Sequence, residues 1–400
     1  MMENRLHELV SGTYKGNKMI EWKKYKLEDL CDELSDGLHK APKFEENGEY
    51  IFVNAKNLSN GKIIDIDKTK HSSYEEFLKY KIDLNDQTLL YSIDGTIGNL
   101  AKYNNEKCIL GKGACYLIIK ESVSRDFVYY QLQSPDFKNY IKFYTTGSTI
   151  GHISLKTMRN YSFPLPPLET QKKIAAILSS LDDKIELNNK ISENLEQQVM
   201  ALFKHYFGSS SQEKDFEIKE LGSVTTNLRD RINDNNTPVF SAVNTGNLQR
   251  SDDYFSKQVY SKDISKYILV KIGDFAYNPA RINIGSIGIN DFDYNGCVSP
   301  VYVAFSVDKD YRSFFKYYFK SNTFKEETKL RASGSVRQSL NYSDFAKIQI
   351  KYPPRELAKK FEEFHTNIEQ AKKKIKKENE VLVSIRDTLL PKLMNGEIEV

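Results

Sequence analysis

The feature that most constrains this chain is an internal repeat. The segment GSTIGHISLKTMRNYSFPLPPLE begins at Gly147, and GSVRQSLNYSDFAKIQIKYPPRE begins at Gly334, a shift of 187 residues. The same shift carries Pro166-Pro167 onto Pro353-Pro354, and Gly98 of DGTIG onto Gly285 of RINIG. A fold built on such a repeat must use one arrangement twice. Each half reads in the same order: a mixed globular region, a Gly-Ser hairpin-like segment, a Pro-Pro stop, then a long helix.

In the first globular region, YIFV (50–53), TLLYSI (88–93) and CYLII (115–119) predict strands between Gly/Asn/Asp turns. A helix is expected over 125–144, interrupted at Pro135, which must start a new turn. The second region offers PVFSAV (238–243), DFAYN (274–278) and VYVAF (301–305) as matching strands, with a helix at 310–330. In the long helices, Ile174, Ile177, Leu181, Lys184, Asn188, Ile191, Leu195, Gln198 and Leu202 step by three and four residues. Their counterparts 187 residues on are Phe361, Phe364, Ile368, Ala371, Ile375, Glu378, Leu382, Ile385 and Leu389. Both sets follow a heptad seam. A helix of about 40 residues, about 60 Å long, needs a partner along its length, and the other helix is the natural one. The fold expected is α+β: two similar mixed α/β domains joined by two long helices that pair as an antiparallel coiled coil, with a pseudo-twofold internal repeat. Two similar heads on such a spacer suit duplex DNA, whose backbone has local twofold symmetry. Each head would read its own half-site.

The chain resembles the DNA-specificity subunits of type I restriction–modification systems from about Trp22 to Val400. The resemblance rests on SFPLPPLETQKKIAAIL (162–178), LLPKLMNGEIEV (389–400), DGTIGNLAKY (94–103), TTGSTIGHIS (145–154) and LHKAPKFEENGEYIFVNAKNLSNGKI (38–63). It departs at KYPPRELAKK (351–360), which lacks the family's usual Gln and aliphatic run. A second departure is the N-terminal extension (1–20); the family organisation divides the rest into target-recognition domain 1 (21–165), a central spacer helix (166–208), a linker (209–216), target-recognition domain 2 (217–352) and a C-terminal spacer helix (353–400). It also implies a bipartite target with a nonspecific gap. The partners would be double-stranded DNA, two methyltransferase subunits that modify adenine N6, and a restriction/translocase subunit. The chain itself would be a non-catalytic cytoplasmic protein. SAM, ATP and Mg²⁺ would belong to the partner subunits, and this chain would bind no cofactor.

The residues agree with a non-catalytic role. No GxxxxGK[ST] phosphate loop occurs. The string nearest to a methyltransferase Asn/Asp-Pro-Pro-aromatic loop, Asn278-Pro279-Ala280-Arg281, lacks the second proline and the aromatic. Six histidines show no HxxxH or HExxH spacing, so no metal is expected. Four cysteines without CxxC suit a reducing compartment, and no apolar run reaches the length of a membrane span. Residues 21–165 hold 20 Lys/Arg and 20 Asp/Glu, and residues 217–352 hold 19 and 15. Base reading must therefore come from particular polar side chains on loops. In the first domain the candidates are His39, Lys40, Lys43, Lys56, Asn57, Ser148, Thr149 and His152. In the second they are Arg229, Arg231, Asn233, Asn244, Asn247, Gln249, Arg250, Arg281, Ser335, Arg337 and Gln338. Tyr129, Tyr130, Phe143, Phe314, Phe315, Tyr317 and Tyr318 are expected in the core. The run Lys372, Lys373, Lys374, Lys376 and Lys377 is expected on a solvated helix face. Two other readings remain open at this point: a protein-binding scaffold with two heads, and a fused methyltransferase or nuclease fragment.

Overall fold

The structure, a computed structural model, describes residues 22–145, 151–208, 215–243, 247–331 and 339–400. It divides into two compact units. Unit 1 comprises residues up to Asn188 together with Lys377–Val400, and unit 2 is Asn189–Lys376. The division falls inside both long helices, so each unit takes half of each.

Unit 1 is built on a four-stranded antiparallel sheet of β1 (Cys31–Asp36), β2 (Thr88–Ser92), β3 (Leu100–Lys102) and β4 (Ala114–Ile119), in the order β1-β4-β2-β3. Leu117 pairs with Leu34 on one side and Leu89 on the other. Side chains alternate across a strand, and both faces here are covered. Leu89, Tyr91, Cys115 and Leu117 enter a core with the helices, whereas Leu90, Ala114, Tyr116 and Ile118 enter a second core. That explains why β2 and β4 read as nearly unbroken apolar runs. A small sheet covers the second face: Tyr50–Val53 pairs antiparallel with His71–Ser72 and parallel with Cys108–Leu110. On the first face lie α1 (Arg125–Gln131) and α2 (Pro135–Thr145). Ser124 caps α1 by accepting from the Phe127 amide, and Pro135 opens α2.

Unit 2 repeats the plan. Strands β5 (Thr225–Leu228), β6 (Phe275–Tyr277), β7 (Ile287–Ile289) and β8 (Val303–Val307) have the order β5-β8-β6-β7. The expected single helix at 310–330 is two, which we label α4 (Arg312–Tyr318) and α5 (Asn322–Arg331). The break copies that between α1 and α2 without a proline. Here the Ser321 hydroxyl accepts from the Phe324 amide and restarts the helix.

The long helices are α3 (Leu168–Phe207) and α6 (Arg355–Met394). They pair antiparallel in each unit. In unit 1, Ile174, Leu178 and Leu181 share a core with Leu389, Leu390 and Leu393. In unit 2, Val199 packs with Phe361. The seam differs from the expected one in its alternate positions. Ile174, Leu181, Asn188, Leu195 and Leu202 face inward as read. Between them, however, Leu178 and Val199 are fully buried, while Ile191 is 40% exposed and Ile177 only partly buried. On α6, Phe361, Ile368, Ile375, Leu382 and Leu389 keep their places, and Phe364, Ala371 and Ile385 are half-buried beside them. The alternate inward positions are His365, Lys372, Asn379 and Arg386. Each of these polar side chains has a hydrogen-bond partner, His365 through Nδ1 to Ser313, so an apolar pattern could not reveal them. Asn188, 1% exposed, donates to Glu378 Oε2 at 3.0 Å and to Asn379 Oδ1 at 2.8 Å. Of the expected core aromatics, Phe143 is 75% exposed; the other six are buried.

Candidate nucleic-acid interface

The candidate surface in unit 1 forms around the turn between β2 and β3. Gly95 and Gly98 take positive φ, 72° and 100°, a conformation in which glycine carries no steric penalty. The Ser92 hydroxyl donates to the Thr96 carbonyl at 2.6 Å and accepts from the Asn99 amide at 2.8 Å, which fixes the turn from within. The 151–154 segment docks against it. Gly95 N–H donates to Gly151 O at 3.2 Å, and Ile153 N–H to Ile93 O at 2.9 Å. Ile153 is thereby buried, leaving His152 and Ser154 outward. The His152 ring bonds to the Asp94 carboxylate, which also lies 3.9 Å from Lys112 Nζ.

Two further loops are tied to this turn. Lys112 N–H donates to Leu38 O at 2.9 Å, and Leu38 N–H to Leu110 O at 2.7 Å, which places His39 and Lys40 alongside. A Cβ on Gly37 would lie 2.3 Å from Leu110 O, so only glycine permits this approach. Asn99 Nδ2 donates to Ala55 O at 2.8 Å and brings the neighbouring Lys56 to the same end. Four sequence candidates therefore gather here: His39, Lys40, Lys56 and His152, all exposed. Lys43 is also exposed, but its amide is held by Glu76, away from the turn. Asn57 is a correction. It is fully buried, donates to Ile64 O and Thr69 Oγ1, and accepts from the Asn54 amide. It shapes its own turn and presents nothing to a ligand. Ser148 and Thr149 lie outside the described residues.

Unit 2 has the corresponding turn between β6 and β7, closed by Gly285 at φ 86°. Leu340 N–H donates to Pro279 O at 3.0 Å, as Ile153 docks in unit 1. Arg281, exposed, occupies the position 187 residues after Asp94. An arginine thus replaces the carboxylate that grips His152 in the first unit. Arg229 and Arg231 lie elsewhere, on a cleft of about 330 Å³ with Ile268, Tyr302 and Tyr342. Arg231 Nη1 donates to Lys266 O at 2.6 Å, and Asn233, at φ 57°, turns back to Arg231 O. Asn247 and Gln249 face inward on a cavity of about 510 Å³ lined also by Glu196, Lys316, Lys320 and Lys372. Lys320 donates to Asn247 Oδ1 at 3.2 Å. Arg250 is half-buried, 3.8 Å from Asp252. Asn244, Ser335, Arg337 and Gln338 lie outside the described residues.

The sequence reading missed Asp94 and Lys112. The DGTIG string contained Asp94, but only the fold joins it to His152. It also treated Lys372 as part of a solvated run, whereas this side chain bonds to Glu196 at 2.7 Å and Glu369 at 3.0 Å. Burial lowers its affinity for a proton, but those two hydrogen bonds outweigh burial and leave Lys372 above the ordinary lysine value. Among the described residues, no group of His, Cys, Asp and Glu could hold a metal ion, and no helix is long and apolar enough to cross a membrane.

Two domains of one design, each presenting a rigid turn with different side chains, define a two-headed recognition protein. Comparison with known proteins shows what this class is similar to. Residues 19–197 match the type I restriction modification DNA specificity domain. The chain is 26% identical to the type I restriction enzyme MjaIX specificity subunit of Methanocaldococcus jannaschii, over 95% of this chain and 94% of that one. It is 28% identical to the HindI specificity subunit of Haemophilus influenzae, over 47% of this chain and 41% of that one. Its fold is similar to the crystal structure of a type I restriction–modification S subunit from M. genitalium, with TM-score 0.55 and 18% identity over 95% of this chain and 97% of that one. Over nearly its whole length the chain is thus similar to specificity subunits of type I restriction–modification systems, and its first half matches their DNA specificity domain.

Proposed function

We propose that this chain reads a bipartite DNA target, one half-site per repeat, for a type I restriction–modification complex. The observation that carries the reading is the doubled turn. Each repeat holds a glycine turn against a docked segment on the same four-stranded sheet, yet the exposed side chains differ: Asp94 and His152 in one, Arg281 in the other. One scaffold with two chemistries suits a target whose halves differ. Arg281 could pair with guanine O6/N7, and His152, Lys40 and Lys56 would meet bases or phosphates. The helices α3 and α6 would set the gap and dock two methyltransferase subunits, with a translocase–nuclease subunit joining for cleavage. SAM, ATP and Mg²⁺ would act on those partners in the cytoplasm, and this chain would do no chemistry itself.

Single-molecule methylation sequencing tests this in cells carrying the chain and its neighbouring methyltransferase, beside a deletion of the chain. A split adenine-methylated motif lost on deletion is expected. A motif that persists unchanged would refute the assignment and favour a protein-binding scaffold.

A further inference from the structure

The sequence candidates leave out a basic surface that the repeat preserves. On α2, Lys138 and Lys142 stand one helical turn apart and line a groove of about 590 Å³ in unit 1. The opposite walls of the groove are the Asn60-Gly61 turn and the Ile97–Leu100 segment. That segment is the C-terminal part of the glycine turn that carries Asp94. The groove is therefore continuous with the surface bearing His152 and Lys112.

The shift of 187 residues carries Lys138 onto Lys325 and Lys142 onto Lys329, both on α5. All four lysines are exposed. In unit 2, α5 packs against the Ile282–Ile284 segment beside Arg281. The lysine helix thus sits next to the glycine turn in both repeats. The residue after the second lysine is also large, apolar and exposed in each: Phe143 at 75% and Leu330 at 73%. The neighbouring turns diverge, Asp94 against Arg281, while the lysine spacing on the helices is kept. Divergent groups suit bases and invariant cations suit phosphate, because base contacts carry the sequence information and phosphate contacts do not.

We propose that Lys138/Lys142 and Lys325/Lys329 are paired phosphate contacts that hold the DNA backbone beside each reading turn. The proposal rests on the DNA-reading function above. Each lysine that neutralises a phosphate releases counterions, and contributes about 0.9 to the slope of log affinity against log salt. Removing one pair should flatten the slope by about 1.8. Between 50 and 200 mM salt, the affinity ratio of wild type to variant should then change by about 12-fold.

The test uses the full chain with its methyltransferase partner, on a target duplex and on a random-sequence duplex of the same length. The variants are Lys138→Gln/Lys142→Gln and Lys325→Gln/Lys329→Gln, with Lys257→Gln/Lys262→Gln as an exposed control. Expected is a flatter slope for either helix pair, by the same amount on both duplexes, with the control unchanged. An unchanged slope in a wild type that binds its target would overturn the phosphate assignment alone. So would a loss confined to the target duplex, which would make these lysines base readers. A wild type with no preference for its target would overturn the DNA-reading function, and this proposal with it.

Discussion

In unit 1 three elements meet at one carboxylate. Tyr130 of α1, 2% exposed, donates its hydroxyl to Asp182 Oδ2 at 2.8 Å. Arg386 of α6 donates from Nη1 to Asp182 Oδ1 at 2.8 Å. Burial and the adjacent carboxylate push the Tyr130 phenol far above its ordinary value, so it stays a donor throughout the working pH range. Tyr130→Phe deletes one hydrogen bond to a charged acceptor, worth about 1.5–3 kcal/mol. Asp182→Ala strands the buried hydroxyl and loosens Arg386. Arg386 is 28% exposed, so water recovers part of its loss. The expected cost is about 2–4 kcal/mol, below that of a fully buried pair. Because both changes remove the same bond, the double variant should cost less than the sum, with a coupling of about 1–2 kcal/mol. For a unit of this size, 2 kcal/mol lowers Tm by about 4–8 °C. Calorimetry of the full chain, following the unit 1 transition, measures all four corners of the cycle. Strict additivity would refute the claim that this carboxylate ties α1 to the helix pair. Tyr317, the +187 counterpart of Tyr130, makes the same kind of joint in unit 2 by donating to Glu196 at 3.0 Å, with Lys372 on the other oxygen.

His365 gives a pH signature. It is 6% exposed, and burial, followed by the nearby Lys316 cation, pushes it down to about 4 against the partial opposition of Glu369, Asp291 and Glu196. The unfolded chain therefore binds the proton more tightly, and the stabilisation is complete above about pH 6.5 and lost as pH falls toward 4. His365→Gln should flatten the urea midpoint between pH 7 and 5; an unchanged slope would refute this. All four cysteines are buried, and burial pushes Cys31, Cys108 and Cys297 up to about 12, so a maleimide at pH 8 should label none until the chain unfolds. Val199→Ala should cost about 1–2 kcal/mol by chemical denaturation and Ile191→Ala under about 0.5, whereas the reverse order would restore the seam expected from sequence. Inserting one heptad into both α3 and α6 should widen the nonspecific gap in the methylation motif while leaving both half-sites intact; an unchanged gap would refute the spacer role.

Those predictions mark where sequence reasoning reached and where it stopped. The repeat was legible because it preserves Gly98 and Gly285 at the same turn, and because the strands of the central sheets carry buried apolar side chains on both faces. The helix seam was legible only in half its positions. Leu181, Asn188, Ile368 and Ile375 follow the heptad, but the alternate inward sites of α6 hold His365, Lys372, Asn379 and Arg386. Each of these bonds to a partner far away in sequence, which hydrophobic periodicity cannot register. The interface shows the same limit. His152 stood out as a polar residue in a Gly-Ser segment, but its partner Asp94 is 58 residues earlier. Conversely, Asn57 looked like a base reader because Asn suits adenine, although its amide is consumed by Ile64 and Thr69. Local chemistry nominates donors, and only the fold decides which of them are already engaged. The lysines of α2 and α5 went unnoticed for a related reason: exposed lysines are common, and theirs gain meaning only when the shift of 187 residues places both pairs beside the same turn.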